Sequence, residues 1–359
     1  MKKYQVIFLM VLFTCTLLLS ACKDGDGNSI SGDVSSKPNV SSAEPTSVVS
    51  NSNQEDISVS EEWDVIPESD FEYRYDSNLQ GVVVSYHGNA RRVRFPDTIN
   101  GDSVVEIENS ASLSLEEVYI PDSVIHIGYR AFRDCENLVR INLPDGLTSI
   151  ANEAFVNCGF KSINIPDSVT NIGEDAFASC KKLVDIEFPD TGVDVGGGAF
   201  SGTYWYDRLS DGLVRLGNVI LGYKGDIPAD IIIPDGVTRI AAEAFMVNAP
   251  KKPVLTEQET SAGTEALYES NGLSTVILPD SVTVIGDFAF FACADLISVT
   301  IPNNLQSIGR KAFVGCTGLT SLSIPDSVTY LFMDAFNGCS NLDEATKSRI
   351  LQINPDVTF

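Results

Sequence analysis

Apolar residues recur along most of the chain in one fixed arrangement, separated by polar positions. The segment Leu138 to Cys158 shows it: an L-x-x-L-x-L spacing ends at Pro144, and an Ala-Phe pair and a cysteine follow. A phenylalanine stands eleven residues after each of eight prolines. These pairs are Pro121 and Phe132, Pro144 and Phe155, Pro166 and Phe177, Pro189 and Phe200, Pro234 and Phe245, Pro279 and Phe290, Pro302 and Phe313, and Pro325 and Phe336. The interval is 22 or 23 residues, and twice it is 45.

A fixed period of this length predicts a solenoid of the leucine-rich-repeat type, because one unit cannot bury its apolar side alone and must stack on its neighbours. The residues three and one before each proline are apolar, and period two places both on the inner face of a short strand. We expect these strands to form one parallel sheet on one face, with short turns or helical turns on the other. The fold class is then a β-rich solenoid of the α/β repeat type.

The ends of the solenoid, which we place at residues 96–342, depart from the repeat. Alternating segments in 63–95 predict a β-hairpin cap over the first coil. The first repeat is lengthened, with Ser112 in the phenylalanine position. In 343–359 an acidic start and two apolar residues predict a C-terminal cap with a short helix.

Two modified coils explain the 45-residue intervals. In 201–233 we expect a hairpin that turns at Gly217-Asn218, with Tyr223 in the phenylalanine position. In 246–276 we expect a second degenerate coil, with Leu267 in that position. The repeat therefore continues in phase through both stretches.

The N-terminus has the layout of a secretory signal. Residues 1–21 combine two lysines, an apolar run and small residues before Cys22. The residues Leu19 to Cys22 resemble the bacterial lipobox, which implies cleavage before Cys22 and a lipid on that cysteine; an ordinary signal with an incidental cysteine is the alternative. Residues 22–62 lack an apolar period and are rich in Ser, Asn and Asp, which predicts a disordered tether.

The formal net charge is −25, and it narrows the choice of partners. Such a surface repels phosphate backbones, so no nucleic acid is expected as a partner. We expect contact with a membrane only through the N-terminal lipid.

Six cysteines share one position of the repeat, in two blocks of three. Pairing within a block leaves one thiol over, and stacked side chains that point the same way oppose the dihedral angle of a disulfide. We therefore expect free thiols in the core. The six are Cys135, Cys158, Cys180, Cys293, Cys316 and Cys339.

No pattern in the chain predicts catalysis. His87 and His126 are the only histidines, and H-E-x-x-H and G-x-S-x-G are absent. We expect His126 to face solvent. An aspartate follows seven of the eight prolines, which turn chemistry explains. A row of calcium sites is the alternative, but one carboxylate per coil is too few for a shell of about six to eight oxygens. We expect no catalytic residue, no cofactor and no metal.

The residues four and two before each proline point outward from the predicted sheet, and they are the variable positions. Tyr119 and Arg140 occupy them in early coils, and Ile232 and Ile277 in the middle. With Trp205 nearby, these are the candidate ligand-binding residues. A solvated sheet face without a ligand is the alternative.

The pattern I-P-D-S-V-T-x-I-G-x-x-A-F-x-x-C-x-x-L, over about Val93 to Leu342, closely resembles the BspA-like leucine-rich repeats of bacterial surface proteins. The resemblance implies an exported protein that binds host extracellular proteins or other cells, and it assigns no binding residue. We expect a lipid-anchored, monomeric adhesion module on the outer face of the bacterial cell membrane that recognises an extracellular protein or glycan. A scaffolding envelope protein and a carbohydrate-binding component of a degradative system are the alternatives.

Overall fold

The computed structural model describes residues 63–64, 66–190, 192–246 and 270–359. All of them lie in the second of the two units into which the chain divides, Glu61–Phe359. The predicted signal, Cys22 and the predicted tether at 22–62 lie outside the described residues.

Twenty-two strands and two α-helices make up the described regular structure, together with one 3-10 turn at Glu68–Asp70. In chain order they are β1 (Phe71–Asp76), β2 (Gly81–Tyr86), β3 (Arg92–Arg94), β4 (Thr98–Ile99), β5 (Asp102–Ile107), β6 (Glu117–Tyr119), β7 (His126–Ile127), β8 (Arg140–Ile141), β9 (Ser149–Ile150), β10 (Ser162–Asn164), β11 (Asn171–Ile172), β12 (Asp185–Glu187), β13 (Asp194–Val195), α1 (Tyr204–Asp207), β14 (Gly212–Leu216), β15 (Val219–Lys224), β16 (Asp230–Ile232), β17 (Arg239–Ile240), β18 (Thr275–Ile277), β19 (Val284–Ile285), β20 (Ser298–Thr300), β21 (Ser307–Ile308), β22 (Tyr330–Leu331) and α2 (Glu344–Ile353).

The strands stack in two parallel rows, so the leucine-rich-repeat solenoid is confirmed but the single sheet is wrong. Row A consists of the strands that run into the prolines, in three groups: β3-β6-β8, β10-β12 and β16-β18-β20. Row B consists of the strands that follow the proline turns, together with the hairpin strands β2 and β15. It forms two ladders, β2-β5-β7-β9-β11-β13 and β15-β17-β19-β21-β22. Most strands of row B are two residues long, which is too short for an alternating pattern to reveal them.

A tight turn joins row A to row B in six of the eight regular coils, where the proline carbonyl accepts from the amide three residues later. The carbonyl of Pro121 accepts from the amide of Val124 at 3.1 Å, and Pro166 and Val169 repeat the bond at 3.0 Å. Asp122, which follows the first of these prolines, is exposed. The recurring Pro-Asp pair is therefore explained by the turn that it forms.

The Ala-Phe pairs form the third side of the solenoid and stack in two columns. In each column adjacent rings lie 5.2 to 5.6 Å apart and are close to parallel. The residues on either side of a ring take up a left-handed backbone, as Glu153 (φ 59°) and Asn157 (φ 58°) do around Phe155. The rings themselves are buried, so the phenylalanines pack the core as their regular spacing predicts.

The six repeat cysteines are free and buried, as predicted. In five of them the thiol donates to the phenylalanine carbonyl of the preceding coil; Cys180 Sγ lies 3.0 Å from Phe155 O, and Cys339 Sγ lies 3.0 Å from Phe313 O. Burial raises the pKa of the Cys135 thiol to about 11. These thiols therefore serve packing and coil-to-coil hydrogen bonding.

At the N-terminal end β1 and β2 form the predicted hairpin, and β2 joins row B beside β5. Asp64 Oδ2 accepts from the amides of Arg91 and Arg92 at 2.9 and 3.0 Å. The residues before β1 thus cover the edge of β3. That strand belongs to the predicted cap at 63–95, yet it already pairs with β6 in row A.

The first repeat places Ser110 in the phenylalanine position, so the expectation of Ser112 is wrong by two residues. Ser110 N donates to Ala131 O at 2.6 Å, which is the coil-to-coil bond that Phe132 N makes to Ala154 O. The buried Ser110 hydroxyl accepts from the Tyr86 amide at 2.9 Å. A hydroxyl is tolerated here because it satisfies that buried donor at the end of β2.

The first 45-residue interval holds α1 and the predicted hairpin, here β14 and β15. Trp205 of α1 packs edge-on against Phe200, with ring centroids 6.0 Å apart. Tyr223 lies in the extended strand β15, so the expectation that it continues the phenylalanine column is wrong. Because the hairpin interrupts the stack, one column ends at Phe200 and the next begins at Phe245. The core divides there into two clusters.

The second 45-residue interval adds no stacked coil. β16 pairs directly with β18 and β17 with β19, and Phe245 stacks on Phe290 at 5.3 Å. Most of the predicted coil at 246–276, including Leu267, lies outside the described residues. The coils on either side of it are direct neighbours, which corrects the expectation of a degenerate coil between them.

Helix α2 closes the C-terminal end, as predicted. Asp343 caps it, with Oδ1 accepting from Thr346 N at 2.7 Å. The buried Thr346 hydroxyl accepts from Leu322 N at 3.1 Å and faces Leu322 O at 3.4 Å, and Arg349 donates to two carbonyls of the same coil. These bonds satisfy the open edge of the last coil. Neither helix of the described part of the chain has the length and apolar character needed to cross a bilayer.

Candidate binding surface on row A

The outer face of row A carries the variable positions of the repeat. In β10 the buried Ile163 lies between the exposed Ser162 and Asn164, and β16, β20 and other strands show the same alternation. The positions four and two before each proline therefore point outward, as their parity predicts. All candidate residues except Trp205 lie on this face.

Intramolecular contacts occupy the N-terminal part of the face. The Arg94 guanidinium lies 4.1 Å from the ring centroid of Tyr119, and the Trp63 ring meets the same tyrosine edge-on at 6.2 Å. Arg140 forms an ion pair with Glu117 on the neighbouring strand. Sequence reasoning did not connect Trp63 with Tyr119, because no local spacing relates them.

Ile232 and Ile277 form the apolar part of the face, and we call the two the isoleucine patch. They are opposite each other on the paired strands β16 and β18, and they are 69% and 43% exposed. In the next strand Thr300 takes the same position beside Ile277. The patch is thus a neighbouring pair of exposed isoleucines in a row where polar residues also fit.

Trp205 is not part of this patch. Its indole packs on Phe200 and is partly buried against the N-terminal core cluster. It belongs to the side of the coil that carries the Ala-Phe turns, where it covers the last ring of the first column. We therefore treat Trp205 as a packing residue.

One carboxylate lies on the same face as the isoleucine patch. The outward positions of β16, β18 and β20 include Asp230 and neither lysine nor arginine. The Thr275 hydroxyl donates to Asp230 Oδ1, which anchors that carboxylate beside the patch. This combination favours a ligand that has an apolar anchor and a basic group beside it.

The two histidines are on or beside row B. His126 Nδ1 lies 2.7 Å from Ser149 Oγ, and burial lowers the pKa of this half-buried histidine. Its side chain points outward from row B, since its neighbour Ile127 is the buried one. The adjacent coil covers part of it, so the expectation that it faces solvent holds only in part. The contact follows from coil stacking, because both residues hold the same position in successive strands. Within the described residues no group of three or more histidines, cysteines and carboxylates is arranged to hold a metal.

A shallow polar groove of about 530 Å³ lies in the C-terminal coils. Its lining residues are Asp280, Ser281, Thr283, Asn304, Gln306, Ser327 and Thr329. Four of them donate to carbonyls of the preceding coil, so much of their hydrogen-bonding capacity is used within the protein. Polar residues recur after each proline in the sequence, and this recurrence could have predicted the groove.

The two rows of parallel strands, the proline turns and the stacked Ala-Phe turns define a leucine-rich-repeat solenoid. Six copies of the family model for the BspA type leucine rich repeat region match residues 107–209 and 225–343. The chain therefore belongs to the BspA-type leucine-rich-repeat family. The family points to a protein-binding role at a surface, and the sequence-based resemblance is confirmed.

Solved structures of several other proteins match most of the chain. A leucine-rich-repeat protein of T. pallidum is 23% identical, with 82% of this chain and 98% of that chain covered and a TM-score of 0.34. A leucine rich cell surface protein of Faecalibacterium prausnitzii A2-165 is 22% identical, with 79% and 89% covered and a TM-score of 0.31. The pneumococcal vaccine antigen PcpA is 18% identical, with 78% and 80% covered and a TM-score of 0.31. The comparison with curated proteins finds no match.

Proposed function

We propose that the protein is a lipid-anchored binding module of the bacterial cell surface and that its isoleucine patch docks an extracellular protein. The observation that carries the proposal is the pair of neighbouring isoleucines that row A leaves exposed. A merely solvated sheet face does not require them, because Ser298 and Thr300 fill the equivalent positions in the next strand. Exposed apolar side chains that adjoin one another are typical of contact surfaces.

The chemistry around the patch supports a protein ligand with an apolar anchor and a basic group beside it. Asp230 supplies negative charge on the strand that carries Ile232, and such complementarity speeds association and selects partners. A glycan is less well supported. The polar groove uses four of its side chains for internal hydrogen bonds, and its lining offers no aromatic ring on which a sugar could stack.

The N-terminal sequence supports the anchoring part of the proposal. Cleavage before Cys22 leaves a cysteine for lipid attachment, and a coil of forty residues has a root-mean-square length of about 35 Å. Such a tether holds the solenoid away from the bilayer. Metabolic labelling with a radioactive fatty acid tests this: the wild-type protein is expected to carry label in the membrane fraction and Cys22→Ala to carry none. Label that persists in Cys22→Ala overturns the anchor.

Docking at the patch is tested by replacing one of its isoleucines. Binding of the solenoid is first measured on an array of extracellular matrix proteins and glycans, and the ligand found there is titrated against Ile277→Asp. We expect at least about a tenfold loss of affinity, because the change puts a charge into the apolar contact. The melting temperature is expected to change little, because the side chain is already exposed.

Ile297→Asp is the matched control. Ile297 is 56% exposed and precedes β20 in the next coil, outside the outward positions of row A. The same substitution there is expected to leave the affinity unchanged. Equal losses in both variants, or none in Ile277→Asp, overturn the assignment of the patch. Capture of glycans alone overturns the choice of a protein ligand.

A further inference from the structure

Strand β1 is an open edge at the N-terminal end of row B. It pairs with β2 on one side, and its other side meets no described strand. Its sequence is F-E-Y-R-Y-D, and Tyr73 and Tyr75 are 44% and 57% exposed. An open edge with exposed aromatic residues is a template for another strand.

The register with β2 decides which peptide groups are available. The His87 amide donates to Asp70 O, and pairs in an antiparallel ladder alternate between bonded and non-bonded. The even-numbered residues of β1 therefore exchange hydrogen bonds with β2. The carbonyl of Phe71 and the amides and carbonyls of Tyr73 and Tyr75 point away from β2 and toward any incoming strand. The amide of Phe71 donates to Glu68 O within the chain.

The side chains of β1 divide between two faces. Phe71 packs on Tyr86 at 5.4 Å, so the odd-numbered residues lie on the face toward the core. Tyr73 is opposite the buried Val84 and is itself nearly half exposed. The opposite face carries Glu72 and Arg74, which are exposed and of opposite charge.

We propose that β1 pairs with β1 of a second copy of this chain as an antiparallel ladder with two-fold symmetry, centred on Tyr73. Only odd-numbered residues direct their peptide groups away from β2, so an odd residue must meet an odd residue. With Tyr73 opposite Tyr73 of the second copy, Glu72 of each copy faces Arg74 of the other. Phe71 then faces Tyr75, which gives aromatic pairs on the core side.

The registers on either side of this one are unfavourable. A shift by one pairing step in one direction places Glu72 opposite Glu72, and in the other direction Arg74 opposite Arg74. Like charges opposite each other destabilise a ladder. Charged residues on an edge strand often prevent pairing, but here the two signs alternate so that they select one register. The dimer joins the row B sheets of two solenoids head to head, by an isologous contact.

Charge exchange tests the register. The chain from residue 22, carrying Cys22→Ser to remove the lipid site, is studied by sedimentation equilibrium. We expect a concentration-dependent dimer, weakened about tenfold or more in Glu72→Arg and in Arg74→Glu, because each substitution creates two like-charge pairs. An equimolar mixture of the two variants is expected to associate again, since the new arginine of one meets the glutamate of the other. Glu344→Arg, on the C-terminal cap, matches the change in net charge of Glu72→Arg and is expected to leave the dimer intact.

Tyr73→Pro provides a test that is independent of charge. Proline removes the outward amide of Tyr73 but leaves the ladder with β2 intact, so the dimer is expected to dissociate while the melting temperature of the monomer holds. A chain that stays monomeric at millimolar concentration overturns the proposal. A dimer that is indifferent to these substitutions, or a mixture that fails to associate although both variants are folded, also overturns it. The proposal stands apart from ligand binding at the isoleucine patch, because the two surfaces share no residue.

Discussion

Replacing a phenylalanine of the second column measures how much the stacked rings contribute to the solenoid. Phe313 is fully buried, and its ring lies 5.2 Å from Phe290 and 5.3 Å from Phe336. Truncation to alanine in such a site removes buried surface and leaves a cavity, so Phe313→Ala is expected to lower the free energy of unfolding by about 3–5 kcal/mol. This loss combines burial with ring stacking, and leucine substitutions separate the two.

Phe313→Leu keeps most of the buried volume and removes two ring pairs, whereas Phe336→Leu removes one of the pairs in the column. An aromatic pair contributes about 0.5–1.5 kcal/mol beyond the burial of its area. Phe313→Leu is therefore expected to be the more destabilising by about 1 kcal/mol. The free energy that the double variant loses should be smaller than the sum of the two single losses by about 1 kcal/mol, because the pair that Phe313 and Phe336 share is lost only once.

Urea unfolding followed by far-UV circular dichroism supplies these free energies. The slope of the free energy against urea should be the same in all variants, so that midpoints report stability alone. Equal losses in the two leucine variants would contradict the reasoning. A strictly additive double variant would contradict it too, since both results leave burial as the whole contribution.

Two further predictions concern buried titratable groups. In a chain without Cys15 and Cys22, the native protein should resist a thiol reagent at about pH 8, because burial raises the pKa of Cys293 and Cys339 to about 12. The denatured chain should react at all six cysteines. A thiol that reacts fast in the native protein contradicts this. Burial also lowers the pKa of His126 in the folded chain. As the pH falls below about 6.5, the unfolded chain therefore takes up a proton that the folded chain does not. The free energy of unfolding decreases until the pH reaches the pKa of His126 in the folded chain. His126→Asn should make this fall smaller, as measured from unfolding free energies at about pH 7.5 and about pH 5.5; equal falls in the two proteins refute it.

The regular spacing of residues along the repeat could predict row A, the phenylalanine columns and the buried thiols. Each landmark residue points inward, and stacking places it against its own counterpart in the next coil, as Phe155 lies against Phe177. Residues one period apart in the sequence are therefore in contact in the structure. The caps could be predicted for a related reason, since an end coil must satisfy its open edge and does so with Asp64 and Thr346.

Row B and the coil count could not be predicted in this way. A strand of two residues has no alternation to recognise, although Ile240 pairs with Ile285 as regularly as any residue of row A. The interval between Phe245 and Phe290 equals two periods, but a period counts residues rather than stacked coils. Direct pairing of the flanking strands removes the inferred coil, and no spacing rule distinguishes the two cases.

The sequence could predict that the candidate side chains on row A point outward. It could not predict which residues each of these side chains contacts. Parity alone places Tyr119 and Ile277 on one face. It does not show that Trp63 and Arg94 already contact Tyr119, because Trp63 approaches from a segment outside the repeat. Trp205 was grouped with the isoleucines by sequence proximity, and its contact with Phe200 assigns it to the core.

The position of the isoleucine patch relates the binding proposal to the irregularities of the repeat. Ile232 lies on the first row A strand after the hairpin of β14 and β15, and Ile277 lies on the first row A strand after residues 247–269. In the regular coil that follows, Ser298 and Thr300 occupy the outward positions. Stacking constrains only the inward residues, so isoleucine at these two outward positions is not required by the fold. The two strands that carry it pair directly although 45 residues separate them, so the two isoleucines adjoin on one surface.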